Sequence, residues 1–570
     1  MAAIRFLLAS AFVTALACAP ARGAFAGGAP LRDAPVVWEM DDRTDAPKPA
    51  ERDPNLLRDG IDESFIHPIG RLFNPSRLVR KVGVLFGGDH VQAASNLNAL
   101  DEVPNSSWFT NRIGLLPVTP ADAARGPVKD DGPDRSAPWT VVSAKTQGVT
   151  PGFNIKDSRG QVYLLKFDPP CCPGMSSAAG VVTGRLLHTA GYNVPEDFVV
   201  TFQREDLVLG EKVKFTDSKG VKRPMTVEDL ERILSTVVRD PDGRWRAIAS
   251  KFLSGKPVGP FSWSGRRKDD PLDPVRHENR RELRGLRIIA AWLGHFDMKQ
   301  GNTLDMYVEE GGRHYLRHYL IDFASTLGAG ATGPFPMANY EYAFDVPAIF
   351  GRALGVGVYQ SPWERIDRPA GLEEVGFLES KEFEPSKWKP LDPNATFANL
   401  TDRDGYWAAK IISAFTHEQL EAAVATGQYR NPEAARFVVR MLEERRDKIA
   451  RHWFARVAPL DFFTVDGEIA RFHDLGQERA IYPGTTPRYR ARVAAVDAAR
   501  SGAEWSGWTE MSEPVLDLSV AAVVEPLRST PVEKRPFLAV QTQVSRGEGW
   551  SPSVTVYVSR ASGRVVALSR

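Results

Sequence analysis

Five polar residues between positions 295 and 322 have types and a spacing that suit phosphoryl transfer. His295, Asp297, Lys299 and Asn302 form the pattern H-x-D-x-K-x-x-N, and Asp322 follows at the end of an apolar run. In phosphoryl-transfer sites one aspartate orients the acceptor hydroxyl, and an asparagine five residues later holds magnesium together with a second aspartate. Asp297 and Asn302 have this separation. The pattern therefore predicts a magnesium-dependent site for transfer to a hydroxyl group.

The elements around this pattern would bring its members together. Residues 277–294 show a helical apolar periodicity, and this helix leads directly into the pattern. Residues 303–308 and 315–321 form two apolar runs that pair as a hairpin across a Gly-Gly turn. The hairpin would place Asn302 beside Asp322, as a magnesium site with two protein ligands requires. Four arginines of the helix are expected on a solvated or ion-paired face: Arg280, Arg281, Arg284 and Arg287.

A second group of residues, farther upstream, suits nucleotide binding. The turn at residues 148–153 contains Gly148 and Gly152, which let backbone amides approach a phosphate. The strand at residues 162–167 alternates, so that Lys166 shares a face with aliphatic residues and can contact phosphates. Taken alone, a glycine turn and a strand lysine are more often a plain hairpin and a solvated side chain. Their order ahead of the downstream pattern favours the nucleotide-binding interpretation.

One expected partner of this lysine is missing. In phosphotransferases of this arrangement, a glutamate on the following helix pairs with the strand lysine. The helix predicted over residues 175–190 contains no acidic residue, and Gly180 stands about where one is expected. Either another acid such as Asp168 orients Lys166, or the pair is absent.

Length, composition and charge exclude several classes of protein. A chain of 570 residues is too long for one core, and 43% apolar with 25% charged residues is typical of a globular protein. The net charge of +1 gives no reason to expect nucleic-acid binding. The histidines do not cluster and no cysteine pair has zinc spacing, which argues against a structural metal centre.

The first residues have the features of an export signal. Arg5 precedes an apolar run at residues 6–17, which is too short to span a bilayer, and Ala24-Phe25-Ala26 offers a cleavage site. In the alternative, residues 15–18 act as a lipoprotein box and Cys18 carries a lipid, the one membrane attachment expected. Both alternatives predict a periplasmic or extracellular protein.

Together these features resemble the protein-kinase-like superfamily, in the branch of HipA-type and phosphatidylinositol kinases. The glycine turn, the L-L-K-F strand and the I-D-F sequence that ends a hairpin carry the resemblance, which covers roughly residues 139–454. It implies an α+β fold with two lobes, a β-rich small lobe at residues 138–255 and a helical large lobe at 256–460. Outside the lobes we expect a signal peptide (1–26), a tether and N-terminal extension (27–137) and an all-β, sandwich-like domain (461–570).

The resemblance also implies roles for the site residues, with ATP and Mg²⁺ as cofactors. Asp297 would orient the acceptor hydroxyl, and Lys299 would neutralise the transferring phosphoryl group. Asn302 and Asp322 would bind magnesium. Lys166 would contact the nucleotide phosphates, near Gly148 and Gly152, and His295 would be a structural brace.

Three functional interpretations remain open at this point. The first is an exported phosphotransferase that moves a phosphoryl group from Mg-ATP to an unknown hydroxyl acceptor, or a nucleotidyl transferase on the same scaffold. The second is a catalytically silent kinase-like scaffold of the cell envelope, favoured by the missing helix acid and by export to where ATP is scarce. In the third, the polar residues only cap and turn the chain at a helix end.

Overall fold

The computed structural model describes residues 29–52, 92–144, 152–216, 222–354, 360–502, 504–519, 530–547 and 549–570. This part of the chain is a mixed α+β structure with four sheets, as the sequence predicts for the fold class. Within these residues, no helix is long and apolar enough to cross a membrane. The predicted export signal and Cys18 lie outside the described residues.

Seven strands of the first half form one antiparallel-rich sheet. They are β1 (Trp139–Ala144), β2 (Gly152–Lys156), β3 (Val162–Phe167), β4 (Asp197–Phe202), β5 (Leu207–Thr216), β6 (Lys222–Pro224) and β7 (Trp245–Lys251). Their order in the sheet is β4-β7-β3-β2-β1-β5-β6. Strand β4 is therefore an edge strand, and β7 lies between it and β3. We call residues 139–251 the sheet unit.

Two helices cover the two faces of this sheet. Helix α2 (Met175–Ala190) follows the short helix α1 (Pro120–Arg125), and α3 (Val227–Ser235) comes later in the chain. Leu230 and Leu234 of α3 pack on the face that carries Leu165 and Trp245. Because side chains alternate along a strand, Lys166 lies on the opposite face, which α2 covers. The predicted helix over residues 175–190 is confirmed.

The second half is mainly helical. Its helices are α4 (Arg281–Leu293), α5 (Val346–Leu354), α6 (Asp402–Ile412), α7 (His417–Ala425) and α8 (Pro432–Phe454). The core between them contains Leu286, Trp292, Trp407 and Leu442, and the Trp292 indole N–H donates to the Leu442 carbonyl over 2.8 Å. We call residues 256–454 the helical unit.

The helical unit also contains a three-stranded sheet. It is formed by β8 (Lys256–Gly259), β9 (Thr303–Glu310) and β10 (Arg313–Leu320), in the order β10-β9-β8. The predicted hairpin is therefore confirmed. Strand β8 lies in this sheet because Lys256 and Pro257 pair with Tyr307 and Met306 of β9.

The arginines of α4 are buried, so the expectation of a solvated face is wrong for most of them. Arg280, Arg281 and Arg284 are each at most 1% exposed. Arg281 donates to Asp404 over 3.0 Å and contacts Asp101 at 2.9 Å, while Arg284 lies 3.3 Å from Asp404. The ion-paired alternative applies, since carboxylates from distant segments compensate these charges.

The C-terminal part contains two sheets and one short helix. A three-stranded sheet is formed by β11 (Leu460–Asp466), β12 (Ile469–Asp474) and β15 (Val515–Asp517). A five-stranded sheet has the order β14-β13-β16-β17-β18, from β13 (Arg488–Val496), β14 (Thr509–Met511), β16 (Phe537–Ser545), β17 (Val554–Ser559) and β18 (Val565–Ser569). Helix α9 (Leu475–Glu478) departs from the expected all-β composition, since Asp474 caps it through the amides of Gly476 and Gln477.

Residues 29–52 form an extended arm with specific contacts, in place of the expected tether. The Leu31 amide donates to the carbonyl of Ala498, two residues after β13. The Asp33 carboxylate accepts from the hydroxyls of Ser559 and Ser562. Farther along, the Arg52 amide donates to the carbonyl of Val258 in β8. The arm thus connects the C-terminal part with the helical unit.

We predict that Arg281→Met lowers the free energy of unfolding by about 3–5 kcal/mol, because the buried carboxylates of Asp101 and Asp404 each lose one of their two arginine partners. Urea unfolding followed by circular dichroism measures the effect. The control is Arg436→Met, which removes an exposed partner of Glu433 and should leave the transition in place. A shift for Arg281→Met no larger than that of the control would contradict the prediction.

Candidate active site

A salt bridge connects the sheet unit to the helical unit at the predicted site. The Lys166 ammonium donates to Asp322 Oδ1 over 2.7 Å, across 156 positions of the chain. Lys166 is central in β3, where its register partners are Gly152 of β2 and Ile248 of β7. Its side chain is 13% exposed, whereas that of Asp322 is 45% exposed. Two predicted site residues therefore meet, with the carboxylate on the solvent side.

The end of α4 positions the residues of the H-x-D-x-K-x-x-N pattern. Gly294 ends the helix in the left-handed conformation, with φ of 61°, and turns the chain into residues 295–302. The Asn302 amide group donates to the carbonyl of Asp297 over 2.8 Å, and Lys299 pairs with Asp297 Oδ2 at 3.0 Å. These bonds close the segment into a compact loop.

The hairpin brings the second aspartate to this loop. The Ile321 amide donates to the Asn302 carbonyl over 3.0 Å, which places Asp322 one residue from the loop. Asp322 itself has a φ of 63°, a left-handed conformation that is uncommon for a residue other than glycine. Such backbone strain often occurs at functional sites, where the surrounding structure holds it.

The site has a distinct pattern of protonation. Burial opposes the charge of Lys299, but the carboxylates of Asp297, Asp322 and Asp392 outweigh it and raise the pKa of the ammonium. Burial lowers the pKa of His295 to about 4, so its ring is neutral near pH 7. This ring packs edge-on against Phe323 with 5.8 Å between centroids. Lys299 therefore carries the cation of the loop, and the packing of His295 fits a bracing role.

A buried acid that sequence reasoning missed, Asp197, lies on the same face of the sheet as Lys166. Asp197 begins β4, is 3% exposed, and shares the Lys166 face of the sheet, because it pairs with Ser250 two positions along β7 from Ile248. Burial raises its pKa to about 6, while the charges of Lys166 and Arg185 act in the opposite direction. Lys166 thus lies in the field of an acid on a strand of its own sheet.

The alternative partner proposed from sequence, Asp168, has a different role. Its carboxylate accepts from the amide of Ser177 over 2.7 Å and from the Ser177 hydroxyl over 2.8 Å. These bonds hold the first turn of α2, where the backbone amides have no helical partner. Asp168 is a helix-capping residue, and the expectation that it could orient Lys166 is wrong.

Two glycines let α2 pack closely on its neighbours. A Cβ at Gly180 would lie 2.8 Å from Ile248 Cδ1 and 3.8 Å from the Ala324 amide nitrogen. One turn later, a Cβ at Gly184 would lie 3.7 Å from both the Asp197 carboxylate and the Phe323 ring. A side chain at position 180 would therefore require the Ile248 side chain to move.

The remaining predicted site residue is outside the described part of the chain. Gly148 falls within residues 145–151, whereas Gly152 lies directly across from Lys166.

The alternation of residues 197–202 shows which side chains share a face with Asp197. It does not show that β4 lies next but one to β3, so this signal alone could not place Asp197 near Lys166.

The comparisons with known proteins add little to this geometry. No protein-family model matches the chain, and the search of curated proteins gives no match. Among solved structures, the chain is similar to the crystal structure of the proinflammatory kinase CtkA of Helicobacter pylori. The similarity covers 54% of this chain and 93% of that chain, with 11% identity and a TM-score of 0.30. A TM-score of this size does not establish a shared fold, so the function must be inferred from the site itself.

The raised pKa of Asp197 predicts how Asp197→Asn changes stability with pH. Folded Asp197 holds its proton between 3.8 and about 6, where the unfolded chain has lost it. Its contribution to stability therefore falls as the pH rises through this window and stays low above it. The melting temperature of Asp197→Asn relative to wild type should increase from about pH 4 to about pH 7.

Differential scanning fluorimetry across this range measures that difference, in which the titration of other groups cancels. Asp242→Asn, which changes an aspartate that is 72% exposed, is the control and should follow wild type at each pH. A constant or decreasing difference for Asp197→Asn would contradict the pKa assignment.

Proposed function

We propose that this protein is a kinase-like phosphotransferase that moves a phosphoryl group from Mg-ATP to a hydroxyl acceptor. The observation that carries the proposal is the salt bridge of 2.7 Å between Lys166 and Asp322. It joins a strand lysine of one unit to an aspartate that follows a hairpin of the other unit. A lysine for phosphates and an aspartate for magnesium must meet in this way if the nucleotide binds between two lobes.

The loop supplies the remaining groups for transfer. Asp297 would orient the acceptor hydroxyl and take its proton, since it is the carboxylate of the loop and Lys299 holds it at 3.0 Å. The raised pKa of Lys299 keeps its ammonium charged, so it can offset the negative charge that develops on the transferring group. Asp297 and Lys299 therefore act as one positioned pair.

The donor atoms at the site fit a magnesium ion. Asn302 and Asp322 provide a carboxamide oxygen and a carboxylate, the hard oxygen ligands that Mg²⁺ prefers. The Asn302 amide nitrogen is held by the Asp297 carbonyl, so the carboxamide oxygen is the atom that could face a cation. Among the described residues, no cluster of three His, Cys, Asp or Glu could hold a metal. Nucleotide phosphates would complete such a two-ligand site, and the ion would screen charge between them.

Asp197 supports the active interpretation over the silent scaffold. The missing helix acid is one of the two grounds for the scaffold interpretation, the other being export, and Asp197 supplies a carboxylate on the same sheet face as Lys166. Export through the N-terminal signal belongs to the proposal, with residues 1–28 outside the described part of the chain. The acceptor class remains a hydroxyl group, on a protein, lipid, sugar or smaller molecule.

We expect Mg-ATP to stabilise the purified protein through Lys166. Ligand binding to the folded state raises the melting temperature, and the increase grows with the ratio of the ligand concentration to the dissociation constant. Lys166→Met should raise the Mg-ATP concentration needed for half of the maximal shift by at least tenfold, because it removes a charge-assisted contact to phosphate. Lys214→Met, an exposed strand lysine of the same sheet, is the control and should keep the wild-type titration. An absence of any shift in wild type would contradict the proposed function and favour the silent scaffold.

We also expect Asp297→Asn to separate binding from transfer. The amide keeps the size of the side chain but cannot accept the hydroxyl proton, so transfer should fall by about 10²–10⁴-fold. Autophosphorylation, or transfer to an acceptor library with labelled ATP, measures the rate. The Mg-ATP thermal shift should persist in this variant and serves as its folding control. Transfer at the wild-type rate would remove Asp297 from the proposed chemistry.

A further inference from the structure

The outer face of the five-stranded sheet carries a group of arginines and tryptophans. Ala491 and Val493 of β13 lie on the inner face, where they pack with Leu516 of the three-stranded sheet. Because successive side chains of a strand point to opposite faces, Arg490 and Arg492 lie on the outer face. The three-stranded sheet therefore leaves these arginines uncovered.

Guanidinium groups and indole rings alternate in a stack on this face. The Arg490 guanidinium carbon lies 4.3 Å from the ring centroid of Trp508 and 4.4 Å from that of Trp550. The Arg492 guanidinium carbon lies 4.6 Å from the Trp508 centroid and 4.8 Å from that of Trp505. A cation is attracted to the face of an indole ring, and two such contacts per arginine restrict the side chain. The arginines are thus ordered before any partner binds, which lowers the entropy cost of binding.

These two arginines are charged without an acidic partner. Arg490 Nε donates to Gln543 over 2.7 Å, and Arg492 Nε donates to Gln541 over 2.8 Å. In the part of the chain that the structure describes, neither guanidinium forms a salt bridge and their Nη groups donate to no protein atom. These Nη groups are not buried, and both arginines are partly exposed. Each positioned guanidinium therefore offers N–H donors to an anion from outside.

Arg488 extends the pair to three residues on one strand face, and we call Arg488, Arg490 and Arg492 the arginine row. The Arg488 side chain is 62% exposed and lies 3.9 Å from Glu510, which is equally exposed. Alternate residues of an antiparallel strand are about 7 Å apart, so the row presents a guanidinium at that interval. An extended peptide repeats its alternate side chains at the same interval. Acids at every second position of such a peptide would each meet one arginine.

An extended segment of this chain already lies on the other end of the outer face. Leu31 of the N-terminal arm packs with Ala494 and Phe537, which continue that face beyond Arg492. The Leu31 amide also donates to the carbonyl of Ala498 over 2.8 Å. Within the fold, therefore, this face already binds an extended chain.

The kind of anion follows from the charge around the arginine row. Glu510 pairs in register with Arg490, Glu504 precedes Trp505, and both acids are exposed. A densely charged polymer such as a nucleic acid requires a broad basic surface, which these acids interrupt. Tryptophan and arginine, in contrast, are enriched among the residues that contribute most to protein–protein binding. A protein segment with spaced acids therefore fits this surface better than a nucleic acid.

We propose that the arginine row binds an extended segment of a partner protein that has Asp or Glu at alternate positions. The carboxylates would accept from the Nη groups of Arg490 and Arg492, and from Arg488 at the exposed end of the row. The site lies in the C-terminal part and does not depend on the proposed phosphotransferase function.

Fluorescence anisotropy with a labelled peptide of alternating Thr and Glu tests the proposal. Wild type should bind this peptide saturably. A second peptide has the same number of glutamates at every third position, which places neighbouring acids on opposite faces of an extended chain. It should bind about tenfold more weakly. A single-stranded oligothymidine is the alternative polyanion and should also bind more weakly than the alternating peptide.

Variants of the arginine row locate the binding site. The double variant of Arg490→Gln with Arg492→Gln should weaken binding of the alternating peptide by about tenfold or more, because two charge-assisted contacts are lost. Arg471→Gln, which changes an exposed arginine of β12 in the other sheet, is the control and should keep the wild-type affinity. Arg488→Glu changes an exposed residue at the end of the row, so it tests the site without removing the stacked arginines. It should also weaken binding.

The proposal is overturned if wild type does not bind the alternating peptide, or binds the second peptide equally well. It is also overturned if the oligothymidine binds more tightly than the peptide, because the row would then be a nucleic-acid site. Wild-type affinity in Arg488→Glu or in the double variant would place the peptide elsewhere on the protein.

Discussion

The close approach of α2 to the turn at residues 322–324 is the constraint on which the site depends. Gly180 and Gly184 let the helix backbone pack against Ile248 and Phe323, where a larger residue at position 180 would meet Ile248 Cδ1 at 2.8 Å. The Thr183 and Thr326 hydroxyls lie 2.8 Å apart and fix this contact. Since the turn carries the aspartate that binds Lys166, the same contact holds the sheet unit against the helical unit.

The helical unit fixes its side of the site through buried charge. Arg280, Arg281 and Arg284 lie on the helix that ends at the loop, and all three are almost fully buried. Removing such charges from water is costly, and the cost is offset only where the geometry satisfies each group. Asp404 serves two of the arginines, while Asp273 accepts from Arg280 at 3.0 Å. Together with the apolar contacts of α4, these bonds hold the helix that leads to Asp297.

Local features were predictable from sequence, and features that depend on distant partners were not. Helix α2 and the hairpin follow from periodicity and turn residues that lie within each segment. The burial of the α4 arginines depends on Asp404, more than 100 positions away, and no periodicity reveals that pairing. The arm at residues 29–52 has the composition of a tether, yet its amides and carboxylates find partners on sheets formed much later in the chain. The predicted contact of Gly148 with a phosphate stays a prediction.

The position of Asp197 has a consequence for control of the proposed transfer reaction. Where a helix glutamate pairs with the strand lysine, movement of that helix makes or breaks the pair and so switches activity. Here Asp197 and Lys166 belong to one sheet, with β7 between their strands, and backbone hydrogen bonds fix their separation. The spacing of these two strands is thus set within the sheet and not by α2. The turn that carries Asp322 packs on Gly180 and Gly184 of that helix. In this protein the helix therefore contacts the turn that carries Asp322, the residue proposed to bind magnesium, while Lys166 is held by the sheet.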